Sequence, residues 1–478
     1  MKLKELLPEA ENSRFSDVKI ANIKKDSRKV DKGDAFVCIN GVTADGHDFA
    51  KIAAGHGAAV VICEHDVGLE NQLIVEDSRK AYALMCAAYF GHPAKKLKIV
   101  GVTGTNGKTT TCTVLKSILE HFGHKVGLIG TVQNMIGDEI LPAKNTTPDC
   151  YELHSLFSLM VSADCDYVVM EVSSHAIDMK RVYGLRYAAC VFTNLTQDHL
   201  DYHKTMENYL NVKKRIFSLC SKAVVNADDK YAEDIIDACD CDVYTYSMKT
   251  NTASFCARNI CHRVDGVDFE LCGDGVIGRV RFKTPGEFSV YNAMAAGVCA
   301  VALGLPFAGV VDALCLGPRV KGRAEVVPTG RDFTVVIDYA HTPDGLLNIM
   351  QTLNDVKKGR LVVVFGCGGD RDRTKRPIMG KLAVEYADKV IVSSDNPRSE
   401  DPEEIIKDVL AGIPKDNTVP VECIADRAKA VEHAILTAEP GDMILLAGKG
   451  HETYQVLKDE TIHLDEREII KNTVERLK

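Results

Sequence analysis

The sequence predicts an α/β protein with three domains, and three observations support this fold class. The chain has 478 residues, and a typical domain has about 100–200 residues. Short apolar runs rich in β-branched residues alternate with helix-like stretches, which is typical of mostly parallel sheets covered on both faces. This alternation begins again near residue 331. We therefore expect domains at residues 1–92, 93–327 and 328–478.

The elements of the first two domains follow from the apolar pattern and the turn residues. The turn-like run 91–93 (GHP) ends the first domain, a smaller α/β unit. Residues 98–102 (KIVGV) predict a buried strand, and 108–122 predict a helix that stops at Gly123. Further strands are predicted at 125–129, 167–170, 190–193 and 223–226, which makes the central sheet mostly parallel.

The last domain repeats the same alternation after a break. Residues 317–330 are rich in Gly and Pro and mark the boundary. A helix is predicted at 345–353, between strands at 334–337, 361–365, 389–392 and 443–446. This pattern predicts a Rossmann-like, doubly wound C-terminal sheet.

Composition and charge narrow the class of protein. Hydrophobic residues make up 46% and charged residues 26% of the chain, which excludes a disordered, collagen-like or coiled-coil protein. The net charge of −9 argues against a general nucleic-acid or anionic-membrane binder, because such proteins carry an excess of positive charge. We expect no signal peptide and no membrane span, since no apolar run approaches ~20 residues. The 17 cysteines form no Cys-x-x-Cys pair, so we expect free thiols and a cytoplasmic location.

The most informative stretch is 101–110 (GVTGTNGKTT), which follows a strand and opens a helix, as a phosphate-binding P-loop does. Its glycines let backbone N–H groups surround phosphate oxygens. Lys108 supplies a point charge to the β- and γ-phosphates, and the Thr109 hydroxyl suits Mg²⁺. The strict pattern has Gly where Val102 stands, so this is a variant loop. The alternative is an ordinary Gly-rich turn.

Polar residues follow the next strands at the sheet edge where ligands collect. Glu171 ends one strand and is a candidate Mg²⁺ ligand beside Thr109; alone, it would be read as a solvated carboxylate. The run 193–203 (TNLTQDHLDYH) lacks zinc-ligand spacing, and we expect His203 to be a surface histidine. Residues 209–217 predict an amphipathic helix with a solvated basic face, on which nothing distinguishes Lys213.

Taken together, the motifs resemble those of the Mur ligases, the ATP-dependent amide-forming enzymes of cytoplasmic peptidoglycan synthesis. The matching runs are TGTNGKTTT (103–111), EVSSHA (171–176), TNLTQDHLDYH (193–203), NADD (226–229), PGEFSVYNAMAA (285–296), KGRAE (321–325) and DYAHTPD (338–344). The resemblance spans nearly the whole chain and accounts for the displaced glycine of the P-loop. It implies ATP as co-substrate and Mg²⁺ as cofactor.

Within that family, the run 395–398 (DNPR) resembles the signature of members that add meso-2,6-diaminopimelate to UDP-N-acetylmuramoyl-L-alanyl-D-glutamate. The extra carboxylate of this amino acid suits a guanidinium, which grips it with two N–H donors. Arg398 is the first candidate and Arg371 the second. The alternatives are a simple turn at 395–398, the L-lysine-adding member and, outside the family, a folylpolyglutamate synthase, a P-loop NTPase motor or a non-catalytic nucleotide-binding module.

The resemblance implies that ATP phosphorylates the D-glutamyl γ-carboxylate and that the incoming amine then displaces phosphate from the acyl phosphate. We expect a monomer whose domains close on the ligands. The implied catalytic residues are Lys108, Glu171, His199 and Lys213. The implied Mg²⁺ ligands are Thr109, Glu171, His199 and Lys213, the last as a carbamate (N6-carboxylysine), with Lys214 as the competing residue.

The resemblance also implies three sets of substrate-binding residues. For ATP these are Gly104, Thr105, Asn106, Gly107, Lys108, Thr109, Thr110, Asn292, Asp338 and His341. For the UDP-muramyl peptide they are Ser27, Asn145, Thr146, Thr147, Ser173, Met179 and Arg181, although relatives often carry Gln at the position of Met179. For diaminopimelate they are Arg371, Asp395, Asn396, Pro397, Arg398, Gly448 and Glu452.

Overall fold

A computed structural model describes residues 1–41, 44–263 and 265–477 of the chain. The chain divides into two compact units. Unit 1 comprises Met1–Thr103, Gly123–Cys190 and Val212–Lys222, and unit 2 comprises Gly104–Phe122, Val191–Asn211 and Ala223–Lys478. Within the described residues, no helix is both long and apolar enough to cross a bilayer. The boundaries of the three domains expected from the sequence stay a prediction.

The N-terminal part of unit 1 is a small parallel sheet with helices. Its elements are α1 (Leu3–Leu6), β1 (Ile23–Lys24), β2 (Ala35–Val37), α2 (Ala50–Gly55), β3 (Val60–Cys63), β4 (Gln72–Ile74) and α3 (Ser78–Tyr89). The strands pair in parallel in the order β1-β2-β3-β4. The four residues of β3 are all buried, because both faces of the sheet are covered. Asp77 begins α3 by accepting a hydrogen bond from the Lys80 N–H.

The chain continues through β5 (Lys98–Thr103), α4 (Lys108–His121), β6 (Val126–Ile129), β7 (Asn134–Ile136), β8 (Glu139–Leu141), α5 (Cys150–Ser162), β9 (Tyr167–Glu171), α6 (Ser174–Asp178) and β10 (Ala189–Phe192). In unit 1 the strand order is β5-β9-β6-β7-β8. The first three strands are parallel, and β7 and β8 extend the sheet in antiparallel fashion. Because β5 and β9 are parallel neighbours, their carboxyl ends lie at the same sheet edge.

The next elements are α7 (Leu200–His203), α8 (Met206–Lys214), β11 (Lys222–Asn226), α9 (Ala232–Ile236), β12 (Asp242–Ser247), β13 (Phe255–Arg263), β14 (Gly266–Gly273), β15 (Val276–Phe282), α10 (Glu287–Ala302), α11 (Phe307–Leu316) and β16 (Glu325–Val327). Strands β13, β14 and β15 form an antiparallel meander that the sequence analysis does not predict. The long, mostly buried helix α10 packs on α4, the helix that follows the phosphate loop.

The C-terminal sheet contains β17 (Thr334–Asp338), α12 (Pro343–Asn354), β18 (Leu361–Phe365), α13 (Lys375–Tyr386), β19 (Lys389–Val392), α14 (Pro402–Leu410), β20 (Val421–Cys423), α15 (Arg427–Leu436) and β21 (Met443–Ala447). It is followed by β22 (Tyr454–Val456), β23 (Thr461–His463) and α16 (Glu466–Arg476). The strand order is β16-β17-β21-β18-β19-β20, with only β16 antiparallel among these.

Residues alternate along β18 between two hydrophobic cores. Leu361, Val363 and Phe365 lie in the core with α12, α13 and α14, while Val362 and Val364 lie in the core with α15 and α16. Helices therefore cover both faces of the sheet, as the continuous apolar strands predict. The α/β fold class is confirmed. Every strand predicted from the sequence lies within one residue of its predicted bounds, whereas the helix predicted at 209–217 begins and ends three residues earlier.

Candidate functional site

The phosphate loop of unit 2 has a shape that only glycine permits at two positions. Gly104 has φ +149° and Gly107 has φ +87°, both of which are unfavourable for residues with a side chain. A Cβ atom on Gly104 would lie 1.9 Å from Thr193 Oγ1, and one on Gly107 would lie 2.3 Å from Asn292 Oδ1. Lys108 Nζ donates to the carbonyl oxygens of Gly104 at 3.0 Å and Thr105 at 2.8 Å. The lysine is therefore folded along its own loop.

Asn106 anchors this loop through both its backbone and its side chain. Its N–H donates to Asn194 Oδ1 at 2.9 Å, and its carbonyl accepts from Thr193 Oγ1 at 2.6 Å. Its Nδ2 donates to Asp344 Oδ2 at 2.8 Å. Burial raises the pKa of Asp344 above its ordinary value. Thr193, Asn194 and Asp344 are site residues that were not predicted from the sequence, although each lies in a motif that resembles those of the Mur ligases.

A cleft of about 780 Å³ in unit 2 opens beside this loop, a volume that suits a nucleotide. Many of the residues predicted for ATP lie along it, and Arg323 and Tyr339 join them. Arg323 donates from NH2 to Thr109 Oγ1 at 3.1 Å, and its guanidinium lies 4.7 Å from the centre of the Tyr339 ring. The predicted ATP residues that line the cleft are Asn106, Gly107, Thr109, Thr110, Asn292, Asp338 and His341.

Asp338 and His341 lie at the end of β17 on the same cleft. The Asp338 carboxylate accepts from the N–H groups of Ala324 at 2.6 Å and Ala340 at 2.8 Å, and burial raises its pKa. Burial, together with the charge of Lys375, lowers the pKa of His341. The Asp338 carboxylate thus has two backbone partners in a buried site. The lowered pKa of His341 favours its neutral form, which can take part in hydrogen bonds.

His199 lies in unit 2 in a left-handed backbone conformation, with φ +55°. Its Nε2 is 3.3 Å from Asp198 Oδ2. Burial acts to raise the pKa of Asp198, but the neighbouring charges of His199 and Lys375 outweigh it and the pKa is lowered. Asp198 therefore carries a negative charge that orients the His199 ring. We predicted His203 on the surface, and this is wrong: it is buried and stacks on Tyr209 with ring centres 5.0 Å apart.

Glu171 ends β9 in unit 1 and is only 1% exposed. Its two carboxylate oxygens accept from Thr131, from the backbone N–H at 2.8 Å and from Oγ1 at 2.9 Å. The Glu171 carbonyl accepts a hydrogen bond from Thr147 Oγ1 at 2.8 Å, and Thr147 Oγ1 accepts one from the Ser173 N–H at 3.0 Å. The Thr131 hydroxyl, whose hydrogen is directed at Glu171, also lies 3.0 Å from Thr146 Oγ1. A buried, hydrogen-bonded carboxylate at a strand end is positioned rather than freely solvated.

Lys213 is 1% exposed, so the expectation of a solvated basic face is wrong for this residue. Its Nζ donates to Thr103 Oγ1 at 3.3 Å, and that hydroxyl donates to the Val172 carbonyl at 2.8 Å. Lys213 is therefore linked, through one hydroxyl, to the residue that follows Glu171. The physical reason is that Lys213 lies on the face that the neighbouring apolar residues Val212, Ile216 and Phe217 bury.

A second cavity, of about 270 Å³, lies in unit 1. Met179 and Arg181, both predicted for the muramyl peptide, line it together with Lys25, Arg79 and Asp149. Arg181 NH1 donates to the Thr147 carbonyl at 3.0 Å, and its NH2 lies 3.4 Å from Met179 Sδ. Ser27 is buried at the start of a 3₁₀ turn, and Asn145 is exposed. The sequence analysis does not predict Arg79, which no quoted motif contains.

The predicted amino-acid site in the C-terminal sheet forms one network. Asn396 Nδ2 donates to Glu452 Oε2 at 2.9 Å. The Asp395 carboxylate packs closely on Gly448, since a Cβ atom on that glycine would lie only 2.6 Å from Asp395 Oδ2. Pro397 is buried beside them. The sequence analysis misses Lys449, which is fully buried in this network.

Arg398 follows the network in a left-handed conformation, with φ +52°. Its NH1 donates to the Gly369 carbonyl at 2.8 Å, and Arg371 donates from NH1 to the Asp370 carbonyl at 2.8 Å. Burial and the nearby charge of Arg371 lower the pKa of Arg398. Two guanidinium groups that repel each other form a favourable site for a carboxylate.

The predicted metal ligands belong to different units. Thr109 and His199 lie in unit 2, and Glu171 and Lys213 lie in unit 1. Thr109 and Glu171 offer the hydroxyl and carboxylate oxygens that Mg²⁺ prefers, so their donor chemistry fits this ion. An unmodified lysine does not, because an ammonium repels a cation, and Lys213 would fit only as a carbamate.

The phosphate loop at the start of α4 and the cleft beside it define a P-loop nucleotide-binding enzyme. Comparison with protein families then assigns three stretches of the chain. The Mur ligase middle domain matches residues 102–300, the Mur ligase glutamate ligase domain matches 322–450, and the catalytic domain of the Mur ligase family matches 19–108. The chain belongs to the Mur ligase family.

Individual relatives agree with this assignment over their full lengths. The chain is 46% identical to UDP-N-acetylmuramoyl-L-alanyl-D-glutamate–2,6-diaminopimelate ligase 1 of Clostridium acetobutylicum, with 100% of both chains covered. It is 46% identical to the ligase of the same type from Clostridium botulinum, with 96% of both covered. A solved structure of a UDP-N-acetylmuramoyl-L-alanyl-D-glutamate–2,6-diaminopimelate ligase superposes with a TM-score of 0.73 at 31% identity, covering 100% of this chain and 99% of the other. The MurF ligase of Thermotoga maritima, solved with ADP, shares the fold at 18% identity, with a TM-score of 0.63 over 97% of this chain and 100% of that one.

Proposed function

We propose that this Mur ligase uses ATP to join meso-2,6-diaminopimelate to the γ-carboxylate of the D-glutamyl residue in UDP-N-acetylmuramoyl-L-alanyl-D-glutamate. The single observation that carries the choice of amino acid is the arrangement at 395–398. Asn396 donates to Glu452 in a buried polar network that Lys449 extends to Asp395, and the Arg398 guanidinium follows at a position where a second arginine repels it. Such a site offers anionic partners for an ammonium group and cationic partners for a carboxylate. The full-length relatives with this activity support the choice.

The chemistry begins with a poor acylating agent, because a free carboxylate has no good leaving group. Phosphoryl transfer from ATP makes an acyl phosphate, and the amine of the amino acid attacks its carbonyl and expels phosphate. Two anions must meet in the first step, so positioning and neutralisation of charge supply most of the catalysis. Lys108 and the N–H groups of the phosphate loop hold the ATP phosphates, and Arg323 adds a positive charge at Thr109.

We propose Thr109, Glu171, His199 and Lys213 as the Mg²⁺ ligands, with Lys213 carrying a carbamate. When bound, Mg²⁺ would neutralise phosphate charge. Burial of Lys213 supports the modification, because a buried ammonium is costly and a carbamate gives this side chain the carboxylate-like oxygens that Mg²⁺ prefers. The Asp198 carboxylate keeps the His199 ring oriented.

The UDP-muramyl peptide needs a binding site of its own, and each predicted domain has a substrate to bind. We assign the muramyl peptide to the cavity lined by Met179 and Arg181, with residues 1–92 for the uridine diphosphate, 93–327 for ATP and 328–478 for the amino acid. We also infer a monomer in the cytoplasm. The chain has 17 cysteines and no Cys-x-x-Cys pair, which favours thiols kept in a reducing compartment.

One assay tests the proposed function. Phosphate release from ATP is measured with UDP-muramoyl dipeptide present and the amino acid varied. We expect release to depend on meso-diaminopimelate, with L-lysine at least about tenfold poorer because it lacks the carboxylate that Arg398 would bind. Arg398→Ala should remove most of this preference, and Arg373→Ala serves as a matched control because that arginine pairs with Asp408. If phosphate is released with L-lysine and not with meso-diaminopimelate, the assignment of the amino acid is wrong. If phosphate is released without any amino acid, the proposed ligase reaction is wrong.

A further inference from the structure

Lys449 is the feature of the amino-acid site that the proposed reaction leaves without a role. Its side chain is fully buried, although a lysine is rarely buried unless it is paired. Its Nζ donates to Glu452 Oε2 at 2.7 Å and to Asn396 Oδ1 at 2.9 Å, and it lies 3.9 Å from Asp395 Oδ1. One ammonium group thus contacts Asp395, Asn396 and Glu452, three of the side chains predicted to bind diaminopimelate.

The backbone around Lys449 is shaped to point its side chain into this network. Gly448 and Gly450 flank it with φ +113° and φ +53°. A Cβ on Gly450 would lie 2.6 Å from Tyr339 Cβ, so the chain is closely packed on that side as well. Glycine adopts these φ values readily, whereas a residue with a Cβ atom would be strained here and would clash with its neighbours. The loop is therefore fixed with Lys449 facing inward.

The hydrogen bonds of Lys449 determine which way its neighbours face. Asn396 Oδ1 accepts from Lys449 and from the Val456 N–H at 2.9 Å, so the amide must direct Nδ2 at Glu452. Glu452 Oε2 accepts from both Lys449 and Asn396, which leaves Oε1 for other partners. The Tyr339 hydroxyl lies 3.4 Å from Oε1. In this orientation both lone pairs of Asn396 Oδ1 are occupied, and one N–H of Nδ2 is left for a further partner.

Lys449 also determines the net charge of the site. Asp395 and Glu452 bring two carboxylates into this network, and the Lys449 ammonium lies 3.9 Å from the first and 2.7 Å from the second. The Arg398 guanidinium also interacts with both carboxylates. The Lys449 ammonium therefore offsets part of the negative charge beside the substrate site.

We propose that Lys449 is a positioning residue that sets the charge and orientation of the Asp395–Asn396–Glu452 network and thereby the affinity for the amino acid. This inference rests on the proposed function of the site. Lys449 acts through Glu452 and Asn396 and takes no part in phosphoryl transfer. Its loss should therefore weaken amino-acid binding and leave the binding of ATP unchanged.

The test compares Lys449→Met, Glu452→Gln and the double variant in the full-length enzyme, with KM measured for each substrate. Methionine keeps most of the volume and removes the charge. We expect Lys449→Met to raise KM for the amino acid by about 10- to 100-fold, the usual effect of losing a charged hydrogen bond, with KM for ATP within about twofold of the wild type. Because the two residues act together, the double variant should resemble Glu452→Gln alone. Lys429→Met is the matched control, since that lysine is exposed on α15.

A merely structural role would give a different pattern. Partial unfolding lowers the apparent kcat through a smaller active fraction and leaves every KM unchanged, and that result would overturn the proposal. Additive effects in the double variant would overturn it as well. If Lys449→Met does not fold, Lys449→Gln retains a donor without the charge, and an unchanged amino-acid KM in that variant counts against the proposal.

A separate measurement keeps the two proposals distinguishable. The wild-type enzyme is first assayed with meso-diaminopimelate and with L-lysine. If it prefers L-lysine, the proposed amino acid is wrong, but the effect of Lys449→Met on the KM of the preferred amino acid still decides the role of Lys449. Saturable restoration of a low KM in Lys449→Ala by n-butylammonium, and not by tetramethylammonium, would further support a specific ammonium site.

Discussion

Replacing Gly104 by alanine should disable the phosphate loop without unfolding the protein. The backbone of Gly104 has φ +149°, which residues with a Cβ atom avoid. The new Cβ would lie 1.9 Å from Thr193 Oγ1 and 3.0 Å from the Asn194 carbonyl oxygen. Thr193 must then move, and it would lose its 2.6 Å hydrogen bond to the Asn106 carbonyl. The substitution thus disturbs the anchor of the loop as well as its backbone.

The magnitude follows from these two effects. A residue forced into a sparsely populated backbone region costs about 1–3 kcal/mol, and a lost hydrogen bond costs about 0.5–1.5 kcal/mol. Together they oppose the phosphate-binding conformation by about 2–4 kcal/mol. Since 1.4 kcal/mol is a tenfold change in an equilibrium constant, ATP affinity should fall by about 30- to 1000-fold.

Calorimetric titration with a non-hydrolysable ATP analogue measures this change, and thermal denaturation checks that the variant is folded. Gly123→Ala is the matched control, because Gly123 has φ +83° at the other end of α4 and has open space around its Cβ position. That variant should lose about 1–2 kcal/mol of stability and keep its ATP affinity. In a Thr193→Ala background, Gly104→Ala should cost less, because the closest clash is absent. Normal ATP affinity in Gly104→Ala would refute the reasoning.

Three further predictions concern buried charges. Lys213→Ala should lower kcat by at least about 100-fold, whereas Lys214→Ala should stay within about twofold; the reverse pattern in the phosphate-release assay would transfer the role to Lys214. Glu466→Gln should lower the free energy of unfolding in urea by about 3 kcal/mol, because it leaves Arg427 fully buried without its ion pair; an unchanged midpoint would contradict this. Burial raises the pKa of Asp344, so its ionised form costs stability at neutral pH, and that cost disappears as the pH falls through the folded-state pKa towards 3.8. Asp344→Asn should therefore melt at a higher temperature than the wild type at pH 7, with a difference that narrows in acid; a constant difference would argue against this explanation.

The strands and the phosphate loop could be predicted because their signals are local. The runs that become β18 and β19 consist almost wholly of apolar residues, and the structure places both at the predicted bounds. The antiparallel meander β13–β15 could not be predicted in the same way. Strand β14 alternates, with buried Val267, Phe269 and Leu271 separated by half-buried Asp268 and Glu270, whereas burial along β13 and β15 is uneven. A search for continuous apolar runs therefore misses the meander.

Most site residues were accessible from motifs, but their partners were not. Lys108 and Thr109 are defined by the spacing of the phosphate loop. The contact of Asn106 with Asp344 joins residues 238 positions apart, and no short-range pattern encodes it. Lys449 lies in a recognisable run, yet its importance depends on meeting Asn396, which is 53 residues away.

The sequence by itself determined the α/β class, the phosphate loop and the family, because these depend on residue type and local spacing. Only the tertiary structure decided which charged groups are buried. Lys213 and His203 look like surface residues in the sequence and are enclosed in the fold, and Lys449 becomes the centre of a charge network. Burial and pairing depend on segments that are distant in the chain, and they control the ionisation and orientation of each side chain. The chemistry of this ligase is therefore encoded locally in its motifs, while their electrostatic setting arises from packing.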